Sequence, residues 1–191
     1  MSDKIVNVLG ICGSLRQKSF NKAALQAAIE LAPSDMRIEV AAIGDIPLYN
    51  ADVQEKGFPA AVETLGAKIQ AADALLLVTP EYNYSVPGVL KNAIDWVSRL
   101  PSQPCAGKGV AIMGASPSML GTARAQYHLR QICVFLDMYP INKPEVMIAN
   151  ASAKFDENGK LHDAVSRELI GKLLVSLGKW GRHLQARPRD A

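Results

Sequence analysis

The strongest constraint on how this chain folds is a repeated alternation of short, largely apolar runs with amphipathic segments. Ile5-Val6-Asn7-Val8-Leu9-Gly10-Ile11 reads as a buried strand, and Ala24, Leu25, Ala28, Ile29 and Ala32 then recur at helical spacing as the inner stripe of a helix. The pattern repeats as strand 36–41, helix 59–71, strand 74–79, helix 87–98, strand 109–114, helix 121–136, short strand 145–148 and helix 162–184. Five strands separated by helical segments call for a parallel sheet covered on both faces, because each parallel return needs a crossover too long for a hairpin.

Nothing rich in Ser, Pro or Gly interrupts the 191 residues between Ile5 and about Leu184, so one domain over 1–191 is expected, with a flexible tail over about 186–191. Hydrophobic residues, at 49%, suffice for a core. The longest apolar run, around 71–78, is broken by Asp73 and falls far short of the ~20 residues of a membrane helix, so no membrane insertion is expected. Met1-Ser2-Asp3-Lys4 leads straight into the first strand without a leader pattern, which makes the cytoplasm the expected location. Net charge is only +3, and Lys172, Lys179, Arg182, Arg187 and Arg189 gather on and beyond an amphipathic helix carrying Leu169, Ile170, Leu173, Leu174 and Leu177. That arrangement reads as a solvated helix face and argues against a nucleic-acid partner. Cys12, Cys105 and Cys133 are odd in number and widely spaced, and His128, His162 and His183 lack ligand spacing, so neither a disulfide framework nor a metal site is expected.

Ligands of such sheets bind beyond the carboxyl ends of the strands, where the winding direction reverses. The first strand exit is Gly10-Ile11-Cys12-Gly13-Ser14-Leu15-Arg16-Gln17-Lys18-Ser19-Phe20-Asn21, with hydroxyls, an amide, a guanidinium and a helix start whose free N–H groups attract anions. Ser19 or Asn21 could simply cap the helix. Arg16 favours a monophosphate cradle, since a cap does not need a fork of donors. The loop lacks both the P-loop pattern and the Gly-x-Gly-x-x-Gly spacing. A cysteine phosphatase would need an Arg six positions after Cys12, where Lys18 stands.

The third strand exits through Thr79-Pro80-Glu81-Tyr82-Asn83-Tyr84-Ser85-Val86-Pro87-Gly88, and the fourth through Gly114-Ala115-Ser116-Pro117-Ser118. Taken alone, each could be an ordinary turn. In the flavodoxin-like strand order 2-1-3-4-5 these exits become neighbours, and a phosphate cradle beside two aromatics suits FMN, a phosphorylated flat ring. The long link over 43–58, with Pro47, Tyr49, Asn50 and Gly57, is of a length often functional or interfacial, and its role stays open.

Gly13-Ser14-Leu15-Arg16 with Ser19-x-Asn21, Pro80-Glu81-Tyr82-Asn83-Tyr84-Ser85-Val86-Pro87, and Lys91-Asn92-Ala93-Ile94-Asp95-Trp96 resemble the NADPH-dependent FMN reductase family, and within it the bacterial quinone reductases also called chromate reductases. The likeness continues through Gln126-Tyr127-His128-Leu129-Arg130-Gln131 and Asn142-Lys143-Pro144-Glu145, and so spans nearly the whole chain. The resemblance implies a three-layer flavodoxin-like α/β sandwich with a five-stranded parallel sheet. It places the FMN phosphate on Ser14, Arg16, Ser19 and Asn21, the isoalloxazine beside Glu81, Tyr82, Asn83 and Tyr84, and a further flavin contact at Ser116. Leu15, Gln17, Lys18, Phe20 and Pro80 complete the implied cofactor-binding set. NADPH or NADH would pass hydride to the flavin, which then reduces quinones and, on the same likeness, free flavin, azo compounds or chromate. No catalytic side chain is nominated, because the flavin carries the chemistry. A homodimer or homotetramer is also implied. Arg124 and Tyr127, three apart on one helix face, could form with Glu145 a polar network at a subunit contact, or belong to a solvated helix with one snorkelling Arg. The competing reading from another class is an FMN-binding electron carrier without turnover of its own.

Overall fold

A computed structural model describes residues 5–186. The expected tail over 186–191 lies outside these residues except for Ala186, as do Met1 to Lys4. In chain order the elements are β1 (Val6–Cys12), α1 (Phe20–Glu30), β2 (Met36–Ala41), α2 (Ala51–Gln54), α3 (Ala60–Ala71), β3 (Ala74–Val78), α4 (Gly88–Val97), β4 (Gly109–Ala115), α5 (Ala123–Phe135), β5 (Tyr139–Pro140), β6 (Val146–Ile148), a 3-10 turn (Ala151–Ala153) and α6 (Ala164–Gln185).

The sheet is parallel and runs β2-β1-β3-β4-β5, with β6 also paired to β4. The fifth position, expected as one strand at 145–148, is therefore filled by two short pieces. β5 pairs with Gly109 and Val110 near the start of β4, and β6 pairs with Met113, Gly114 and Ala115 at its end. The first piece escapes an apolar-run reading because it is two residues long and contains proline. Tyr139 N donates to Lys108 O at 2.8 Å and Ile141 N to Val110 O at 2.8 Å, so the ladder uses the donors on either side of Pro140. A proline nitrogen without a proton costs nothing at that point of an edge.

Period-two alternation in the strands divides the core between two faces. Leu9, Ile11, Leu75, Leu77, Val110 and Ile112 pack with Val62, Leu65 and Ile69 of α3, Leu90 and Trp96 of α4, and Leu129 of α5. Val6, Val8, Leu76, Val78, Ala111 and Met113 pack with Ala24, Leu25 and Ala28 of α1 and with Ile170, Leu173 and Leu177 of α6. Both faces are thus covered, as a parallel sheet requires. The link over 43–58 is clamped onto α4: Asn92 accepts from Tyr49 N at 2.8 Å and donates to Pro47 O at 2.9 Å, and Trp96 Nε1 donates to the same carbonyl at 2.8 Å. The Asn92 and Trp96 positions of the family-like motif therefore serve loop anchorage. No helix among the described residues is long and apolar enough to cross a membrane.

Candidate active site

The registers Cys12 to Val78 and Val78 to Met113 end β1 and β3 at one level, with β4 running two residues further, so their exits emerge side by side. Gly13 N donates to Val78 O at 2.8 Å, Thr79 N to Met113 O at 2.9 Å, and Ser116 N to Ile148 O at 3.0 Å, which carries the ladder into the loops. Gly13 leaves little room for a side chain, since a Cβ there would lie 3.0 Å from Leu90 Cδ2 and 3.2 Å from Pro87 Cγ and those side chains would have to give way. Between the exits opens a cleft of about 120 Å³, lined by Ser14, Arg16, Ser19, Phe20 and Asn21 from the first, Pro80, Glu81 and Tyr82 from the second, and Ala115, Ser116 and Pro117 from the third. Gln17 and Lys18 line instead an adjoining cleft of about 600 Å³, shared with Asp156 to Gly159. Leu15, Asn83 and Tyr84 line neither.

Within the first exit, the side chains divide the work. Ser19 caps α1, its Oγ accepting from Asn21 N at 3.2 Å and Lys22 N at 3.4 Å. The Asn21 amide exchanges two hydrogen bonds with Ala115 of β4, Nδ2 to the carbonyl at 2.9 Å and Oδ1 from the N–H at 2.9 Å. The side chain expected on a phosphate thus ties α1 to the sheet, while Ser14, Arg16 and Ser19 line the cleft beside the start of α1. The Arg16 guanidinium folds back on Lys18 O, with Nε at 3.0 Å, and lies 5.7 Å from the Phe20 ring centre.

Across the cleft, Glu81 carries a carboxylate whose side chain is only 7% exposed. It belongs to α5: Oε2 accepts from Arg124 N at 3.0 Å and Ala125 N at 3.2 Å, while Oε1 takes Arg124 Nε at 2.5 Å. Thr122, the N-cap residue by position, has φ +75° and makes no side-chain cap, so a carboxylate from another loop meets the positive end of the α5 dipole. The hydrogen bond to Glu81 also raises the Arg124 guanidinium above its already high ordinary value. The expected grouping of Arg124 with Tyr127 and Glu145 therefore divides. Tyr127 does donate to Glu145 Oε1 at 2.8 Å, whereas Arg124 turns to Glu81 because that carboxylate is the more buried partner.

Sequence reasoning missed the hairpin that walls the adjoining cleft, closed by the Phe155 to Leu161 bridge and set against Phe20 by a ring contact of 5.3 Å. The only local signal was turn chemistry, Asp156-Glu157-Asn158-Gly159, in which Asp156 Oδ1 accepts from Asn158 N at 2.9 Å and Lys160 N at 2.8 Å. All three cysteines are buried, and desolvation pushes the Cys12 thiol up, Cys105 to about 11 and Cys133 to about 12. Such thiols are the reverse of an activated nucleophile. Among the described residues no group of three or more His, Cys, Asp or Glu could hold a metal ion. A hollow of about 740 Å³ sits at the opposite end of the strands around Asp73 and Lys108, away from the converging exits.

Sheet order and a small cleft where three strand exits converge at the switch point define a flavodoxin-like α/β protein. The family model described as NADPH-dependent FMN reductase matches residues 6–153, and the chain belongs to that family. It is 61% identical over 185 residues to an NAD(P)H-dependent FMN reductase of Pseudomonas aeruginosa, covering 97% of this chain and 100% of that one. To the quinone reductase of Escherichia coli strain K12 it is 49% identical over 183 residues, 94% of this chain and 97% of that one. Among solved structures, the flavoenzyme NAD(P)H:(acceptor) oxidoreductase FerB of Paracoccus denitrificans superposes with a TM-score of 0.85 at 31% identity, covering 94% of this chain and 98% of that one.

Proposed function

We propose that this protein is an FMN-dependent NAD(P)H oxidoreductase of quinone-type acceptors. The observation that carries the reading is the meeting, in one cleft, of Ser14, Arg16, Ser19 and the start of α1 with the Tyr82 turn and the small Ala115 and Ser116 backbone. Two hydroxyls, a guanidinium and a helix N-terminus fit a phosphate monoester. At about 120 Å³ the enclosed part is below the roughly 300–1,000 Å³ of a pocket that swallows a drug-sized ligand. It fits the phosphate end, with the ring bordered by the loops of Tyr82 and Ser116.

When bound, FMN supplies the redox chemistry, accepting two electrons and a proton from reduced nicotinamide and passing them to the acceptor. The chain's own residues bind and orient. Arg16 exchanges the Lys18 carbonyl for the phosphate, Ser19 keeps α1 capped, and Ser14 and Ser116 hold the cofactor at either end of the cleft. No acid, base or metal is assigned. Free flavin, azo compounds and chromate come within the same reading as acceptors of an open rim, and either NADPH or NADH serves as donor.

The absorbance spectrum of the purified protein tests this directly. The expected result is a bound-flavin spectrum that bleaches on anaerobic addition of NADPH and returns with a benzoquinone. Arg16→Ala is expected to weaken FMN binding about 10- to 100-fold, the worth of a charge-assisted hydrogen bond. A protein that stays colourless after incubation with FMN sinks the proposal, and bound flavin inert to NADPH and NADH leaves the carrier reading.

Self-association is part of the same proposal. Tyr127, Val134 and Phe135 stand seven and eight residues apart on one face of α5, and Val134 and Phe135 are 81% and 84% exposed. Light scattering is expected to give a dimer or tetramer mass that Phe135→Glu lowers. A wild-type monomer refutes it.

A further inference from the structure

The geometry points to Tyr84 as a specificity-determining residue for planar electron acceptors, held at the rim of the cleft by two positioning residues of α5, Arg124 and His128. This deepens the oxidoreductase reading and rests on it. Tyr82 and Ser85 exchange both backbone hydrogen bonds, each at 3.1 Å, so Asn83 and Tyr84 are the two central residues of a tight turn. Their φ angles are +48° and +69°, as a type I′ turn demands. Asparagine tolerates that region, but a tyrosine does not favour it, and glycine is the residue the turn itself would select. The strained ring gains little by burial, because Tyr84 is 68% exposed. Strain kept without burial belongs to a site that uses the side chain.

Two side chains one helical turn apart keep the ring in place. The Arg124 guanidinium carbon lies 3.4 Å from the Tyr84 ring centre, and Arg124 is itself fixed by the buried Glu81 carboxylate. Four residues on, His128 Nδ1 lies 2.9 Å from Ser85 Oγ, on the far flank of the turn. The turn is thus pinned to a packed helix at both ends. Tyr82 lines the cleft that fits the phosphate end of the cofactor, whereas Tyr84, Arg124 and His128 stand outside it. Tyr84 is exposed two residues along the same turn, at the rim where an acceptor would approach the ring, and a flat aromatic side chain on a rigid mount favours a flat partner over a compact ion.

The test compares holoenzyme variants with 1,4-naphthoquinone and ferricyanide as alternative acceptors under saturating NADPH. Tyr84→Gly creates Asn-Gly, the preferred pair for this turn, so the turn is relieved while the ring is lost. The ratio of kcat/KM for naphthoquinone to that for ferricyanide is expected to fall about tenfold, chiefly through KM for the quinone, at the upper end of what one aromatic contact contributes. Tyr84→Asn, which also tolerates the backbone conformation, guards against a folding defect and is expected to behave alike. Arg124→Ala and His128→Ala are each expected to lower the ratio about threefold, and less than multiplicatively together because they pin one turn. His128→Asn, whose amide can still meet Ser85 Oγ, should restore it. A ratio unmoved in both Tyr84 variants, or an FMN dissociation constant that rises in step with the quinone KM, overturns this proposal alone. A wild type that turns over neither acceptor overturns the flavin reading and this inference with it.

Discussion

Gly114→Ala is expected to lower the melting temperature by roughly 6–12 °C, the shift that about 3 kcal/mol produces in a domain of this size. Gly114 is the penultimate residue of β4, between the exit of β3 and the start of α5. A methyl group there would overlap the Thr79 carbonyl oxygen and Thr122 Oγ1 and stand 3.1 Å from Thr122 Cβ. Neither obstacle can swing aside. Thr79 O is backbone, and Thr122 is fully buried, with its Oγ1 accepting from Gln126 Nε2 at 3.1 Å while the same Nε2 donates to Val146 O at 3.0 Å. Over-packing usually costs about 1–3 kcal/mol, and obstruction by backbone on one side and a bonded side chain on the other puts this site at the top of that range. Calorimetry of the variant beside Gly88→Ala checks it, because an added Cβ at Gly88 meets nothing within 4 Å. A Gly114→Ala melting point equal to that of Gly88→Ala would mean that the seam between the exits can spread.

Asn21→Asp should be equally damaging at neutral pH and should recover in acid. The side chain is buried and trades two hydrogen bonds with Ala115, one donated and one accepted. An ionised aspartate keeps the acceptor, loses the donor and sets a charge against the Ala115 carbonyl, a change costing about 3–5 kcal/mol where a buried charge loses its partner. A protonated aspartic acid restores both bonds. Its folded pKa is therefore raised above the unfolded value of about 3.9, so the missing stability is present below about pH 4 and is lost as pH rises through the folded pKa. The difference in unfolding free energy between wild type and variant, measured by urea titration across pH 3–8, is expected to grow over that window. A difference flat with pH would show that the Ala115 pairing contributes little. FMN affinity of the variant should fall as well, because the carboxylate stands beside the phosphate cradle.

Much of the architecture was legible in the chain because local chemistry and tertiary need agree there. The β2 boundaries follow from the alternation of Met36, Ile38 and Val40 with Arg37 and Glu39 over 36–41, and Pro59, Pro87 and Ser98 mark helix ends where proline or a short polar side chain bounds the periodic pattern. What failed locally failed for physical reasons. β5 is two residues long and exists only because β4 offers an edge. The start of α5 has Thr122 at its capping position, but the cap is made by Glu81, some forty residues earlier.

The candidate site divides along the same line. Residue types in the first exit suggested either an anion cradle or a plain helix cap, and Ser19 does cap α1. What those side chains bond to within the protein was decided by long-range pairing: Asn21 meets Ala115 and Glu81 meets the start of α5. By itself the sequence determined the alternation of elements, and through it the end of the sheet where the site lies, since strand and helix periodicity are local properties of side-chain pattern. Only the tertiary structure decided the partners of the buried polar groups. A buried amide or carboxylate must be satisfied by whatever the fold brings within 3 Å, and that neighbour is fixed by packing across the sheet rather than by position in the chain.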